Sequence, residues 1–245
     1  MSPGPQELAR RLLPLLDLTS LNDARDDDIA ALCARAITPR GKVAAVCSWP
    51  DFAAEMAERL AGSGVEIAVV IDFPEGEASE EAATAEARQA VAEGATELDL
   101  VMPYRAWLAG EREAAKARIA AVKAASGTAV LKVILETGAF PGPAEMAEAA
   151  RDAIAAGADV LKTSTGKIAV GATPEAAEAL LGAIHEAGGR VGFKAAGGIR
   201  SLEDAAAYLE IAERHLGAAW ITPERFRIGA SKLLDVVLAA LEPGA

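Results

Sequence analysis

The chain has 245 residues and is 52% hydrophobic, which supports a substantial core and excludes a disordered polymer. Its net charge of −12 argues against nucleic acid as the main partner, although overall charge says little about a local cationic pocket. No apolar run approaches the roughly 18 residues of a membrane span, and the opening MSPGPQELARRLLPLLDL lacks the basic-then-apolar pattern of a secretory signal.

Cys33 and Cys47 make neither a metal-binding pair nor a disulfide framework, which suits a reducing compartment. The expectation is a cytoplasmic globular protein with no membrane partner.

Short apolar, partly β-branched runs predict strands at 15–19, 42–49, 66–73 and 96–102. Four more follow at 129–136, 159–165, 190–197 and 225–231. Between them, Ala/Glu/Arg-rich segments predict helices, among them 79–93, 111–125, 143–156 and 174–187. Ser79 and Thr173 are suited to capping two of these, and Pro174 to a first helical position. Gly94, Gly157 and Gly188 stand where helices should end and turn into the next strand.

Polar residues recur within the strand runs at Asp17, Cys47, Asp72, Asp99, Lys132, Lys162 and Lys194. Their separations of 30, 25, 27, 33, 30 and 32 residues are each the length of one βα unit. Strands alternating with helices imply parallel pairing through helical crossovers. Eight units in this length fit a closed (β/α)8 TIM barrel better than an open doubly wound sheet, because LDLTSLND carries no glycine fingerprint after the first strand. No linker or change in composition marks a boundary. Residues 1–245 are expected to form a single α/β barrel domain with a short N-terminal helical extension.

Barrel active sites lie at the C-terminal ends of the strands. Asp17, Asp99, Lys132, Lys162 and Lys194 all fall inside or near such ends. Taken singly, each is as readily a buried ion pair; convergence of five charges on one mouth points to a site. A nucleophilic lysine needs a pKa of about 7–8 in place of about 10.4, a shift of roughly 4 kcal/mol. A second ammonium about 6 Å away contributes roughly 2.8 kcal/mol at an effective dielectric of 20, and desolvation can supply the remainder. Lys162 and Lys194, on neighbouring strands, therefore suggest Schiff-base chemistry on a carbonyl. Spacing does not say which lysine reacts. Asp99 is placed to exchange a proton with the adduct, and equally to form a salt bridge with Lys132 on the next strand.

The run TSTGKI imitates the end of a nucleotide-binding loop, but Leu161 and Ile168 stand where that motif needs Gly and Ser or Thr. Glycines follow the last three strands in TGK, AGGI and IGAS. Backbone N–H groups at Gly197, Gly198 and Ser231 would suit a phosphate, with Lys167 as a point charge. His185 and His215 are unpaired in helix-like segments, so a metal centre is not expected. Cys47 reads as a buried inert thiol, and Trp49, Trp107 and Trp220 are too scattered for a cofactor site.

LLDLTSLND, VAAVCSWP, ELDLVMPYRAWLAG, LKVILETG, LKTSTGK, GFKAAGGIR and IGAS together resemble the deoxyribose-phosphate aldolase family, in its order, from about Leu15 to Leu234. The resemblance implies a barrel that reversibly cleaves 2-deoxy-D-ribose 5-phosphate to D-glyceraldehyde 3-phosphate and acetaldehyde, without metal or other cofactor. It implies Lys162 as the Schiff-base lysine, Lys194 as the neighbour that lowers its pKa, and Asp99 as the proton-relay acid. Asp17 and Lys132 would form the supporting polar network. Gly166, Lys167, Gly197, Gly198 and Ser231 would hold the substrate phosphate.

The sequence departs from the family pattern at IDFPEG, where Asp72 and Glu75 stand in a segment that often reads Asn-Phe-Pro-His-Gly. It departs again at Lys232, where a second serine is common, and at its LEPGA end, where some members carry a tyrosine tail. Another phosphosugar barrel enzyme and a non-catalytic phosphosugar binder are the alternatives. Self-association is left open.

Overall fold

Each predicted apolar run contains a short strand: β1 (Leu16–Thr19), β2 (Ala45–Ser48), β3 (Glu66–Ile71), β4 (Glu97–Val101), β5 (Val130–Ile134), β6 (Val160–Lys162), β7 (Gly192–Ala196) and β8 (Phe226–Ala230). In the computed structural model, which describes residues 4–242, these strands pair in parallel in chain order. Pairing of β8 with β1 closes the barrel. Met1–Pro3 and Pro243–Ala245, including most of the LEPGA end, lie outside the described residues.

The helices α1 (Pro5–Leu12), α2 (Ile29–Arg35), α3 (Ala53–Arg59), α4 (Glu80–Ala92) and α5 (Tyr104–Leu108) occupy the first half of the chain. They are followed by α6 (Arg112–Ala125), α7 (Pro143–Ala155), α8 (Pro174–Glu186), α9 (Leu202–Leu216) and α10 (Leu233–Ala240). The capping expectations hold locally: Ser79 accepts a hydrogen bond from the Ala82 N–H at 3.2 Å and Thr173 from the Ala176 N–H at 3.1 Å. A reciprocal capping box, Ser201 with Asp204, starts α9 and was not anticipated from the sequence. Gly94 and Gly157, at φ 104° and 101°, carry the chain out of α4 and α7 through backbone space that other residues rarely enter.

The strands are shorter than the apolar runs. The clearest difference is at 42–49, where Gly41–Lys42 pairs antiparallel with Ile37–Thr38 in a hairpin outside the barrel. There the Lys42 ammonium donates to the Ser63 and Gly64 carbonyls at 2.9 and 2.5 Å, acceptors that a place in the barrel wall would not offer.

Period-two alternation sends successive side chains to opposite faces of the barrel wall. One set packs against the helices. Phe193 and Phe226, both fully buried, meet there with ring centroids 5.8 Å apart. The other set fills the barrel, and it is divided. On β2 and β3 it is small and apolar (Ala45, Cys47, Ala68, Val70), whereas β1 and β4 to β8 bring in charge. Glycine makes room for the charged side chains: a Cβ at Gly229 would lie 3.1 Å from Lys194 Cε.

The two layers differ in what they contribute, and the helix-side layer carries the hydrophobic stability. Phe193→Ala should destabilise the chain by about 3–5 kcal/mol in urea unfolding, against about 1 kcal/mol for Ser201→Ala at the α9 cap. Equal effects would contradict that assignment.

Candidate active site

Inside the barrel, Asp99 of β4 is the meeting point of three lysine side chains. Its Oδ1 accepts from Lys132 Nζ at 2.7 Å, and its Oδ2 accepts from both Lys162 Nζ and Lys194 Nζ at 2.7 Å. Asp99 is fully buried, and Lys162 and Lys194 are 3% and 0% exposed. The neighbouring strands set this geometry by register, with Lys162 opposite Lys194 and Asp99 opposite Lys132.

The three lysines differ in how many carboxylates they touch. Lys194 also meets Asp17 Oδ2 at 2.5 Å. Lys132 also meets Glu97 Oε2 at 2.5 Å and lies 3.8 Å from Asp17 Oδ2. Lys162 has Asp99 alone, and shares that oxygen with Lys194.

The proton affinities follow from this count. Burial pushes Lys162 below the ordinary lysine range, and the Lys194 ammonium adds to it, against the opposing pull of Asp99. Burial also acts to lower Lys194, but Asp17 and Asp99 outweigh it and hold that ammonium above its usual range. Lys132 is raised in the same way by Asp99 and Glu97. Burial opposes ionisation of Asp99, yet the lysines around it, Lys132 foremost, hold it well below the usual carboxylate range. Asp17 is likewise held low by Lys194 and Arg227 despite its burial. The order of causes at Lys162 differs from the expectation from sequence, in which the second ammonium came first: burial is the larger, and Asp99 opposes both.

The five charged residues read from the strands, Asp17, Asp99, Lys132, Lys162 and Lys194, meet inside the barrel, but only Lys162 and Lys194 line the mouth cavity, and Lys132 lines one at the opposite end. The salt bridge between Asp99 and Lys132 and the contact between Asp99 and Lys162 exist together. Two members of the cluster were missed. Glu97 stands two residues before Asp99 and points the same way, and Arg227 of β8 joins it to Asp17, at 2.8 Å to Glu97 Oε1 and 2.7 Å to Asp17 Oδ1. The signal was the charge alternation in ELDLV and RFRIGA, masked by reading only strand ends. Glu136, also missed, accepts from the Thr165 N–H at 3.1 Å and from the Thr165 hydroxyl, and burial raises its pKa.

Above the cluster opens a cavity of about 420 Å³, lined by Lys162, Lys194, Gly166, Lys167, Gly197, Gly198, Ser231 and Lys232 among others. Gly197, at φ 94°, lets two loops meet backbone to backbone: a Cβ there would lie 3.0 Å from Gly171 Cα. The Lys167 ammonium donates to the Leu21 carbonyl at 2.7 Å and to the Asp23 carboxylate.

Asp72 does not belong to this assembly, although it falls in the same periodic series. It sits beyond the end of β3 with φ 53°, 3.3 Å from Arg118, and accepts from the Ala78 N–H at 2.9 Å. The inward positions of β3 are Ala68 and Val70 instead. Glu75 pairs with Arg105 at 2.8 Å, both partly exposed. Cys47 lies beside the cluster, its Sγ 4.0 Å from Asp99 Oδ2, and burial followed by the Asp99 charge raises its pKa. His185 lies in α8, and His215 of α9 is bonded to Glu178 at 2.7 Å, both away from the barrel mouth.

A closed parallel barrel with a lysine–carboxylate centre beneath a glycine-lined mouth defines the class, a (β/α)8-barrel aldolase. The family described as DeoC/LacD family aldolase matches residues 12–239, and the chain belongs to it. It is similar to a deoxyribose-phosphate aldolase of Agrobacterium fabrum, with 46% identity over 98% of this chain and 94% of that protein. Among solved structures it resembles the tetrameric deoxyribose phosphate aldolase of Aeropyrum pernix (29% identity, TM-score 0.76, 96% of this chain and 92% of that one). It also resembles QR15, an aldolase (27% identity, TM-score 0.80, 95% and 96%). No helix among the described residues is long and apolar enough to cross a membrane.

Asp17 and Asp99 both ionise more readily when folded than when unfolded. Their stabilisation is complete above the unfolded carboxylate value, near about 3.9, and is lost as pH falls through it toward the lower folded values. The urea midpoint is expected to fall steeply below about pH 4. Asp99→Asn should lower stability at neutral pH and flatten that acid limb; an identical limb in the variant would exclude Asp99 as a source.

Proposed function

We propose that the chain reversibly cleaves 2-deoxy-D-ribose 5-phosphate to D-glyceraldehyde 3-phosphate and acetaldehyde, with Lys162 as the Schiff-base nucleophile. The observation that carries this reading is that the least compensated buried lysine opens onto the same cavity as the glycine-lined mouth. The 46% identity to the Agrobacterium fabrum aldolase supports the substrate.

The Lys162 amine adds to the C1 aldehyde of the open-chain sugar, and the carbinolamine loses water to give a protonated imine. Removal of the C3 hydroxyl proton lets the C2–C3 bond break. Its electron pair passes into the imine as an enamine, and C3 leaves as the aldehyde of glyceraldehyde 3-phosphate. Protonation of the enamine at C2 and addition of water release acetaldehyde and restore the amine. Asp99, 2.7 Å from Lys162 Nζ, is the carboxylate placed to carry protons at the adduct. Lys194 is the adjacent cation that disfavours an ammonium at Lys162, while Asp17 holds Lys194 and Lys132 holds Asp99 in place. Gly166, Lys167, Gly197, Gly198 and Ser231 receive the phosphate, with Lys167 turning from Asp23 toward it.

Small phosphosugars and aldehydes are thus the partners of the site. A homo-oligomer is in keeping with the tetrameric Aeropyrum pernix relative, and a cytoplasmic location with two buried free cysteines. Residues 1–245 are read as one barrel domain in which α1 is an N-terminal extension.

Incubation with acetaldehyde and borohydride should place an ethyl group on Lys162, located by peptide mass; labelling confined to surface lysines would refute the mechanism. Lys194→Leu should raise the pH needed for that trapping, because Asp17 and Asp99 lose their shared cation and draw a proton onto Lys162. An unchanged pH profile would remove Lys194 from its role. Ser231→Glu sets a negative charge at the mouth and should raise KM for the 5-phosphate by about tenfold or more, with little change for unphosphorylated 2-deoxyribose. Equal effects on both substrates would place the phosphate elsewhere.

A further inference from the structure

The buried cluster contains four basic side chains, Lys132, Lys162, Lys194 and Arg227, and three carboxylates, Asp17, Glu97 and Asp99, joined by contacts of 2.5–2.8 Å. With all four bases protonated, the barrel interior would hold one uncompensated positive charge away from water, which is costly. With one base neutral, the cluster balances. Arg227 does not deprotonate in proteins, and Lys132 and Lys194 each touch two carboxylates. By this count Lys162, which shares its one carboxylate oxygen with Lys194, is the base least held as an ammonium.

Arg227 is far from a bystander in this balance, yet it does not share the substrate's cavity. It lines a separate cavity of about 680 Å³ at the opposite, N-terminal end of the barrel, together with Glu97, Lys132, Lys42, Glu66 and Glu224. From there its two terminal nitrogens hold Asp17 and Glu97, and its Nε donates to the Pro223 carbonyl. Asp17 in turn holds Lys194, and Lys194 shares the Asp99 oxygen that Lys162 uses. The charge of Arg227 is thus relayed across the barrel through two carboxylates and one lysine.

We propose that Arg227 is a positioning residue for the reaction: by occupying Asp17 and Glu97 from the rear of the barrel, it leaves Lys162 as the one buried base without a carboxylate of its own, and hence a free amine. This rests on Lys162 being the Schiff-base lysine. The groups nearest Lys162 are Asp99 of β4, Lys194 of β7, the Cys47 thiol of β2 and Glu136 after β5, and Lys167, Arg200 and Lys232 line the cavity onto which it opens. Glu136 is engaged by Thr165, and β3 presents Ala68 and Val70 at the level of the cluster, with its Glu66 at the cavity of the opposite end.

The sign of the effect follows from the count. Removing the Arg227 charge leaves three carboxylates facing two ammonium groups, a deficit that protonation of Lys162 relieves. Removing the Glu97 charge leaves three cations facing two carboxylates and disfavours that proton further. Removing both restores the balance.

The test is the pH profile of acetaldehyde trapping at Lys162 by cyanoborohydride in the full chain, read by peptide mass. The reductant's own pH dependence is common to all variants and cancels in the differences. Arg227→Met should move the midpoint up by about one pH unit, a tenfold loss of amine at a fixed pH below it. Glu97→Gln should move it down, the double variant should return close to the starting protein, and Arg227→Lys should keep the original profile. A purely structural role would lower the unfolding midpoint without this alternation of sign. If Arg227→Met does not accumulate as folded protein, Glu97→Gln decides by itself: a downward shift supports the proposal, and an unmoved or raised midpoint overturns it. Absence of any adduct at Lys162 in the unsubstituted chain would instead refute the Schiff-base reading, so the two failures are distinguishable.

Discussion

A single carboxylate oxygen governs this barrel. Asp99 Oδ2 receives both Lys162 and Lys194, and neither Asp99 nor Lys194 is exposed to water. In water such an arrangement would be screened and trivial. In a closed barrel the solvent that would otherwise stabilise each charge is missing, so every charge depends on the count of its partners. Lysines of identical chemistry then diverge: two are held as ammonium groups by two carboxylates each, and the third is pushed toward the amine.

The fold is arranged around that constraint. Parallel strands joined by helices give a closed wall whose outer face is apolar and whose inner face can be charged at fixed levels. Small residues on β2 and β3 keep one side of the interior apolar, and glycine at 229 leaves the volume that the Lys194 stem needs. The hydrophobic layer between wall and helices supports the cost of a charged interior, since breaking one buried ion pair without its partner is destabilising by several kcal/mol. The cluster also divides the barrel along its axis. Lys162 and Lys194 reach the cavity at one end, and Glu97, Lys132 and Arg227 reach a cavity at the other.

Much of this was legible along the chain. Strand-length apolar runs, capping residues and a repeat of about one βα unit led to the barrel, and a lysine at the end of two neighbouring runs led to the paired amine chemistry. The periodic series was less discriminating than it looked. Asp72 fits the spacing yet lies past the end of β3 beside Arg118, because a repeat counted along the chain does not distinguish an inward strand position from the loop that follows. Glu97 and Arg227 were passed over for the converse reason: they lie nearer the strand starts, at a level of the barrel that spacing between strand ends does not sample. Lys42 shows the same limit, since a lysine beside an apolar run is free to leave the sheet when carbonyl acceptors lie within reach.

By itself the sequence determined the class of fold, the alternation that turns lysines and carboxylates inward, and the glycines that allow close-packed loops at the mouth. These are local properties, set by side-chain period and backbone freedom within a few residues. The tertiary structure alone decided which lysine is the undercompensated one. That depends on register between strands distant in the chain, which gives Asp17 and Asp99 to Lys194, Glu97 and Asp99 to Lys132, and only a shared oxygen to Lys162. Charge balance in a water-poor interior is a property of the whole closed barrel, and no single strand contains it.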